Sequence, residues 1–161
     1  MKNKWAVNAS PIILLAKVGR LSLLGQLTEE LAIPASVAVE VNQGSSDDDA
    51  RAWLLGEAAR WICADSPAAP ELAAWDLGNG EMAVLNWVHA HREFEAVLDD
   101  RAARTCAQVF GLKVRGTLGV ILAAKERGLI VSAKPVCKQL VSAGFWIRGE
   151  ILESALRLVG E

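Results

Sequence analysis

Cysteine is scarce in this sequence: Cys63, Cys106 and Cys137 are odd in number, far apart, and without the paired spacing of a zinc site or disulfide framework. They read as reduced thiols, the usual state in a cytoplasm. Long apolar runs are missing as well. No stretch reaches the eighteen or so residues of a membrane span. The N-terminal "MKNKWAVNASPIILLAK" is interrupted by Pro11 and the polar "NAS", so it reads as a strand and a helix, not a signal peptide. Internal repeats and low-complexity tracts are absent, and neither "GSSDDD" nor "DSPAAPE" is long enough for a domain linker. What remains is 161 residues, 52% apolar and 22% charged, the composition of one globular domain over residues 1–161.

Several chemistries lack their residues. "GNGEMA" spells G-x-G-x-x-A but follows "ELAAWDL", not a strand, so the dinucleotide-binding context is missing. Ser10 has no base and orienting partner for a hydrolase triad. "VNASP" offers no Asp-x-Asp for a phosphohydrolase that needs one after its first strand. His89 and His91 are two apart on a helix, so their side chains diverge. The six tryptophans, at 5, 53, 61, 75, 87 and 146, are scattered and not interleaved with basic residues, and read as core or interface.

A net charge of −2 conceals a polarity: residues 1–100 hold 7 Lys/Arg against 15 Asp/Glu, and residues 101–161 hold 10 against 4. Such a molecule can hold a cation beside a polyanion, or simply present two solvated surfaces of opposite sign. Strand-like runs at Trp5–Val7, Leu31–Ile33, Trp61–Cys63, Glu95–Leu98, Lys113–Val114 and Phe145–Ile147 alternate with helical patterns. Those helices run from Pro34 to Gln43, through "SSDDDARAWLLGEAAR" and "NGEMAVLNWVHAHRE", and over Ala102–Phe110, Thr117–Arg127, Pro135–Ala143 and Glu150–Leu158. Glycines 111, 128 and 144 fall where helices should stop. The alternation predicts an α/β fold around a mostly parallel sheet.

Sites on such folds gather beyond the carboxyl ends of the strands. Asn8, Asp65, Asp99 and Asp100 each follow a strand, although each also suits a helix cap. Arg104 lies four residues after Asp100, the spacing of a local ion pair. Two glutamates stand on apolar faces: Glu40 beside Val37 and Val41, Glu81 beside Val84, Leu85 and Val88. Inward-facing carboxylates need compensation. Together with the aspartates they point to convergent acids, whose hard oxygens suit Mg²⁺ or Mn²⁺ acting on phosphates.

"VNASPIILLAKVGRLSLL", "IPASVAVEV", "DLGNGEMAVL", "VLDDRAARTCAQVFGLKVRGTLGVILAAKERGLI" and "AGFWIRGEILESALRLVGE" resemble the PIN-domain superfamily, in particular a prokaryotic PIN-like branch described as predicted nucleic-acid-binding proteins. The likeness covers nearly the whole chain, and its most specific segment runs from Val97 to Ile130. The resemblance implies a three-layer α/β/α fold and a Mg²⁺- or Mn²⁺-dependent ribonuclease, often the toxin of a toxin–antitoxin pair. It further implies a homodimer in the cytoplasm, with RNA and a small antitoxin as partners. Carried over by motif, the metal set is Asn8, Glu40, Glu81, Asp99 and Asp100, with Glu40, Glu81 and Asp99 catalytic. Ser10 and Thr117 would support it, and Arg101, Arg104 and Arg115 would meet RNA phosphates. One departure stands out: PIN nucleases usually have aspartate where this chain has Asn8. A catalytically decayed interaction or nucleic-acid-binding module is the alternative that this substitution raises.

Overall fold

The computed structural model describes residues 3–44 and 48–161. Strand β1 (Asn3–Val7) is the axis of the fold, because Trp5, Ala6 and Val7 are wholly buried. A strand covered on both faces reads as a continuous apolar run, which suits the middle of a parallel sheet. β1 pairs in parallel with β2 (Thr28–Pro34), Trp5 opposite Leu31, and with β4 (Glu95–Val97), Val7 opposite Val97. β3 (Ile62–Cys63) extends the sheet from β2, and β5 (Val114–Arg115) extends it from β4. The order is β3-β2-β1-β4-β5, all parallel, with helices between the strands, and the three-layer α/β/α expectation holds.

The helices are α1 (Ala9–Lys17), α2 (Ser22–Leu27), α3 (Ala35–Gln43), α4 (Asp48–Leu55), α5 (Pro70–Ala73), α6 (Asn79–Ala90), α7 (Arg101–Val109), α8 (Thr117–Glu126), α9 (Ala133–Ser142) and α10 (Gly149–Leu158), with a 3-10 turn at Glu57–Trp61. Their stops are local chemistry. At Gly111, φ is +66°, its N–H donates to Gln108 O, and Leu112 N–H donates to Ala107 O. That left-handed residue closes α7 and turns the chain into β5. Gly128 and Gly144 close α8 and α9 in the same way.

Two expectations need correction. Phe145–Ile147 is not a strand; it is irregular chain between α9 and α10. Phe145 and Ile147 are half-buried and Trp146 is exposed, but the alternation comes without pairing to a neighbouring strand, Phe145 packing against the core. The helix expected through "SSDDDARAWLLGEAAR" is α4 followed by the 3-10 turn, and its first residues, 45–47, lie outside the described residues. The three cysteines are free, and burial pushes their thiols up, Cys137 to about 11. Protonated thiols of this kind are unreactive. No described helix is long and apolar enough to cross a membrane.

The topology decides where a site can form. From β1 the chain crosses to β2 on one side and, later, to β4 on the other, so the connections diverge at the carboxyl end of β1 and leave a crevice there. Asn8 leaves β1 into that crevice, and Asp99 leaves β4 beside it.

A candidate metal site at the carboxyl ends of the strands

Asn8 precedes α1 with an extended backbone, yet its side chain caps nothing. Its N–H donates to Val97 O at 2.9 Å, which ties it to β4. The side chain is 1% exposed. Nδ2 donates to Glu81 Oε1 at 3.3 Å, and Oδ1 is buried with no hydrogen-bond partner. A buried carbonyl left unpaired costs about 1–3 kcal/mol.

Gly80, the second residue of α6, explains what Oδ1 faces. A Cβ on Gly80 would lie 2.8 Å from Asn8 Oδ1 and 2.9 Å from Glu40 Oε2. The amide and the carboxylate therefore reach the same small volume, which only a glycine leaves open. Much of Glu40 is exposed, but its carboxylate end turns in to this point. Burial raises the carboxyl's pKa, the negative charge of Glu81 raises it further, and the Gly80 N–H holds it down in part. Glu81 sits in the first turn of α6, where the helix dipole favours an anion. Val37, Val41, Val84, Leu85 and Val88 are all buried, so both glutamates do share faces with core residues. Asp65 anchors the helix that carries Glu40: its carboxylate accepts from the N–H and hydroxyl of Ser36 at the start of α3.

The two aspartates are used differently. Asp100 caps α7, accepting from Ala103 N at 2.9 Å, so its ordinary cap reading holds and its carboxylate is engaged away from Gly80. Asp99 reaches across to α8. Its Oδ1 accepts from Thr117 N at 2.8 Å and its Oδ2 from Thr117 Oγ1 at 2.6 Å, with Ser10 Oγ at 3.5 Å. Thr117 is fully buried. The hydroxyls of Ser10 and Thr117 thus lie against Asp99, which lines the same cleft as Asn8 and Glu81. Among the described residues no three His, Cys, Asp or Glu side chains converge as metal ligands. The convergent set is two carboxylates and the Asn8 amide oxygen.

That donor set fits a hard, water-rich cation. Mg²⁺ takes one or two carboxylates and keeps several waters, and an amide carbonyl is an acceptable oxygen ligand for it. Three features of this chain agree: the unpaired Asn8 Oδ1, two like charges held close together, and a space that a Cβ would fill.

The arginines divide as well. Arg115 is not free for RNA: Nε donates to Glu95 Oε1 at 2.9 Å, Nη1 donates to Gly119 O at 3.1 Å, and the guanidinium lies 5.1 Å from the Trp5 ring centroid. Glu95 Oε1 also accepts from Trp5 Nε1 at 3.0 Å. Arg104 makes no ion pair with Asp100; it turns toward Leu98 O at 3.4 Å, and Gly116 leaves room for it beside Asp99. Arg101 is exposed at the start of α7. His89 and His91 diverge, one to Glu71 and the other stacked on Trp87. An open cleft of about 1760 Å³ joins these groups, lined by Asn8, Glu81, Asp99, Arg101, Arg104 and Trp146 among others.

Sequence reasoning missed Gly80, Glu95 and Trp146. The glycine preceding Glu81 in "NGEM" was the one available signal, as a mark of close backbone approach. Nothing local in the sequence distinguishes Glu95, because its partners come from β1 and β5.

A parallel α/β sheet with carboxylates and an amide gathered past its central strands defines a class of proteins with an acidic strand-end site. The comparison with known families is narrower. A family model described as PIN domain matches residues 4–161, and the chain belongs to the PIN-domain family. That membership points to nucleases, which generally use divalent metals. Comparison with curated proteins gave no match.

Proposed function

We propose that this protein is a Mg²⁺- or Mn²⁺-dependent ribonuclease that hydrolyses phosphodiester bonds in RNA. The observation that carries the reading is the buried, unpartnered Asn8 Oδ1 facing Glu40 across Gly80, with Glu81 bonded to the other end of the amide. Asn8, Glu40 and Glu81 would hold the cation. A divalent ion there supplies positive charge opposite the phosphate and makes water easier to deprotonate.

The chain's own groups do the rest. Asp99 keeps the N-terminus of α8 against β4 through Thr117, and its charge adds to the negative field over the strand ends. Ser10 lies within reach of Asp99 at the cleft, where its hydroxyl can orient a phosphate oxygen or a water. Arg101 and Arg104 line the same cleft and suit the flanking phosphates. A toxin role with a small antitoxin partner, a homodimer and a cytoplasmic setting belong to this reading on family resemblance.

One feature favours a second reading: Asn8 brings no charge, so the convergent set carries two negative charges where an aspartate would make three. A PIN-like module that binds without cutting would look like this. The two readings separate in an RNA-cleavage assay with Mn²⁺ or Mg²⁺, run on wild type, Glu40→Gln, Glu81→Gln and Asn8→Asp. The ribonuclease reading expects metal-dependent cleavage by wild type and its loss in both glutamine variants. No cleavage by wild type, with activity gained in Asn8→Asp, would overturn it in favour of decay.

A further inference from the structure

Of the tryptophans expected in core or interface, Trp146 is the one that stands clear of the core. Trp5 and Trp53 are buried, and Trp61, Trp75 and Trp87 are half-buried against the core. Trp146 is 82% exposed, in the irregular chain between α9 and α10. The left-handed turn at Gly144 and the side chain of Phe145, packed against the core, fix the start of this segment to the body of the protein. Trp146 and Arg148 are the exposed members of the alternation. Both line the cleft that also contains Asn8, Glu81 and Asp99.

The same cleft carries guanidiniums without ion-pair partners. Neither Arg148 nor Arg101, on the cleft wall formed by α7, makes an ion pair with a described residue. An exposed indole face beside unpaired guanidiniums complements a polymer with flat faces repeated along an anionic backbone. An acidic peptide would match only the charge. A duplex would match only the charge as well, because its bases are already stacked on both faces.

We propose that Trp146 is a stacking subsite for an unpaired nucleobase of an RNA strand lying in the cleft, with Arg148 and Arg101 on flanking phosphates. The identity of the polymer rests on the ribonuclease reading above. The subsite makes the protein select single-stranded over double-stranded RNA, and it places the strand so that it runs past the carboxylate corner.

The test is fluorescence anisotropy in EDTA, where nothing is cut, with a short labelled oligoribonucleotide, the same strand made abasic, and its duplex. Wild type is compared with Trp146→Ala, Trp146→Phe and Arg148→Ala, and melting temperature checks that each is folded. Trp146→Ala should weaken binding of the intact strand about 5- to 150-fold, the range of one lost stacked base, and leave the abasic strand unaffected. Trp146→Phe should stay within a few-fold of wild type. Arg148→Ala should lower the slope of log affinity against log salt by about 0.7. The proposal is overturned by any of three results: Trp146→Ala binds like wild type, it loses intact and abasic strands equally, or it leaves RNA binding alone but changes the oligomeric state in light scattering. The last result would make the wall a protein interface. Wild type that binds no strand overturns both the subsite and the RNA reading. Stacking without Mn²⁺-dependent cleavage sinks only the nuclease reading, and cleavage with a silent Trp146 sinks only the subsite.

Discussion

Gly80→Ala isolates the cation question from folding better than any ligand substitution. The added Cβ would lie 2.8 Å from Asn8 Oδ1 and 2.9 Å from Glu40 Oε2, inside normal contact distance for both. Asn8 cannot retreat, since it is buried and its backbone N–H is bonded to Val97. Glu40 can, because its side chain is largely exposed and its carboxylate can swing to water. Because Asn8 holds its place, the variant should melt somewhat lower than wild type without Mn²⁺, offset in part by alanine's helix preference of up to about 1 kcal/mol over glycine. Cation binding should suffer far more, because one of two carboxylates leaves. At a Mn²⁺ concentration a hundred times the dissociation constant, wild type gains about 2.7 kcal/mol. For a chain of this size that raises Tm by roughly 5–10 °C. If the variant binds a hundredfold more weakly, the same Mn²⁺ gives only about 0.4 kcal/mol, or about 1 °C. Thermal melts with and without Mn²⁺ read both quantities. A variant that melts normally and keeps the full Mn²⁺ shift would refute the assignment of the cation to the Asn8–Gly80–Glu40 corner.

Glu40→Gln tests the same corner through pH. A carboxyl raised above its ordinary value favours folding when protonated, so its contribution is fully present below about 4.5 and is lost as pH rises through the raised value. In EDTA, the variant should therefore be at least as stable as wild type at neutral pH, and that advantage should shrink as pH falls through the raised value and be gone below about 4.5. Glu161 has the opposite sign: hydrogen bonds from Ser132, Ala133 and Lys134 at the start of α9 lower its carboxyl to about 2. Its stabilisation is present above the ordinary value and disappears as pH falls through about 2, so Glu161→Gln should melt lower at pH 7, and the gap should narrow on acidification. Thr117→Val keeps the shape of a fully buried side chain but removes the hydroxyl that Asp99 accepts at 2.6 Å. A lost hydrogen bond to a charged group costs about 1.5–3 kcal/mol in denaturant unfolding, and Thr117→Ser should recover most of it.

Strands β1 and β4 were legible because they announce themselves twice, as apolar runs and by the polar residue that closes each run. Trp5–Val7 ends at Asn8 and Glu95–Leu98 ends at Asp99, and the sequence alone therefore pointed to the carboxyl ends of β1 and β4, where the structure has both residues. Glu40 and Glu81 were legible for another reason: helical spacing put each on a face with residues that prove to be buried. Contacts between distant segments were not legible. Whether Asp99 holds a cation or the start of α8 depends on how β4 and α8 approach each other, and Thr117 lies eighteen residues away. Arg115 was expected on RNA phosphates under the family resemblance, which carries no information on its neighbours in the fold. β4 and β5 instead pair Val97 with Arg115, and that register brings its guanidinium to Glu95.

The asparagine at position 8 acquires a physical role from these contacts. In the cation-free chain Glu40 and Glu81 repel each other, and burial makes the repulsion worse. The Asn8 amide eases this at one end, since Nδ2 donates to Glu81. An aspartate in its place could donate nothing unless protonated and would add a third negative charge to a corner where, among the described residues, no arginine bonds to Asn8, Glu40 or Glu81. The amide therefore lets the corner fold without metal, at the expense of the charge that would bind metal most tightly. Asn8 Oδ1 still faces Gly80 unpaired, which is where a cation would relieve both the lone carbonyl and the carboxylates. On the reading proposed above, a cation at this corner is expected to bind weakly and exchangeably, a small Mn²⁺-dependent rise in Tm being the measurement that checks it.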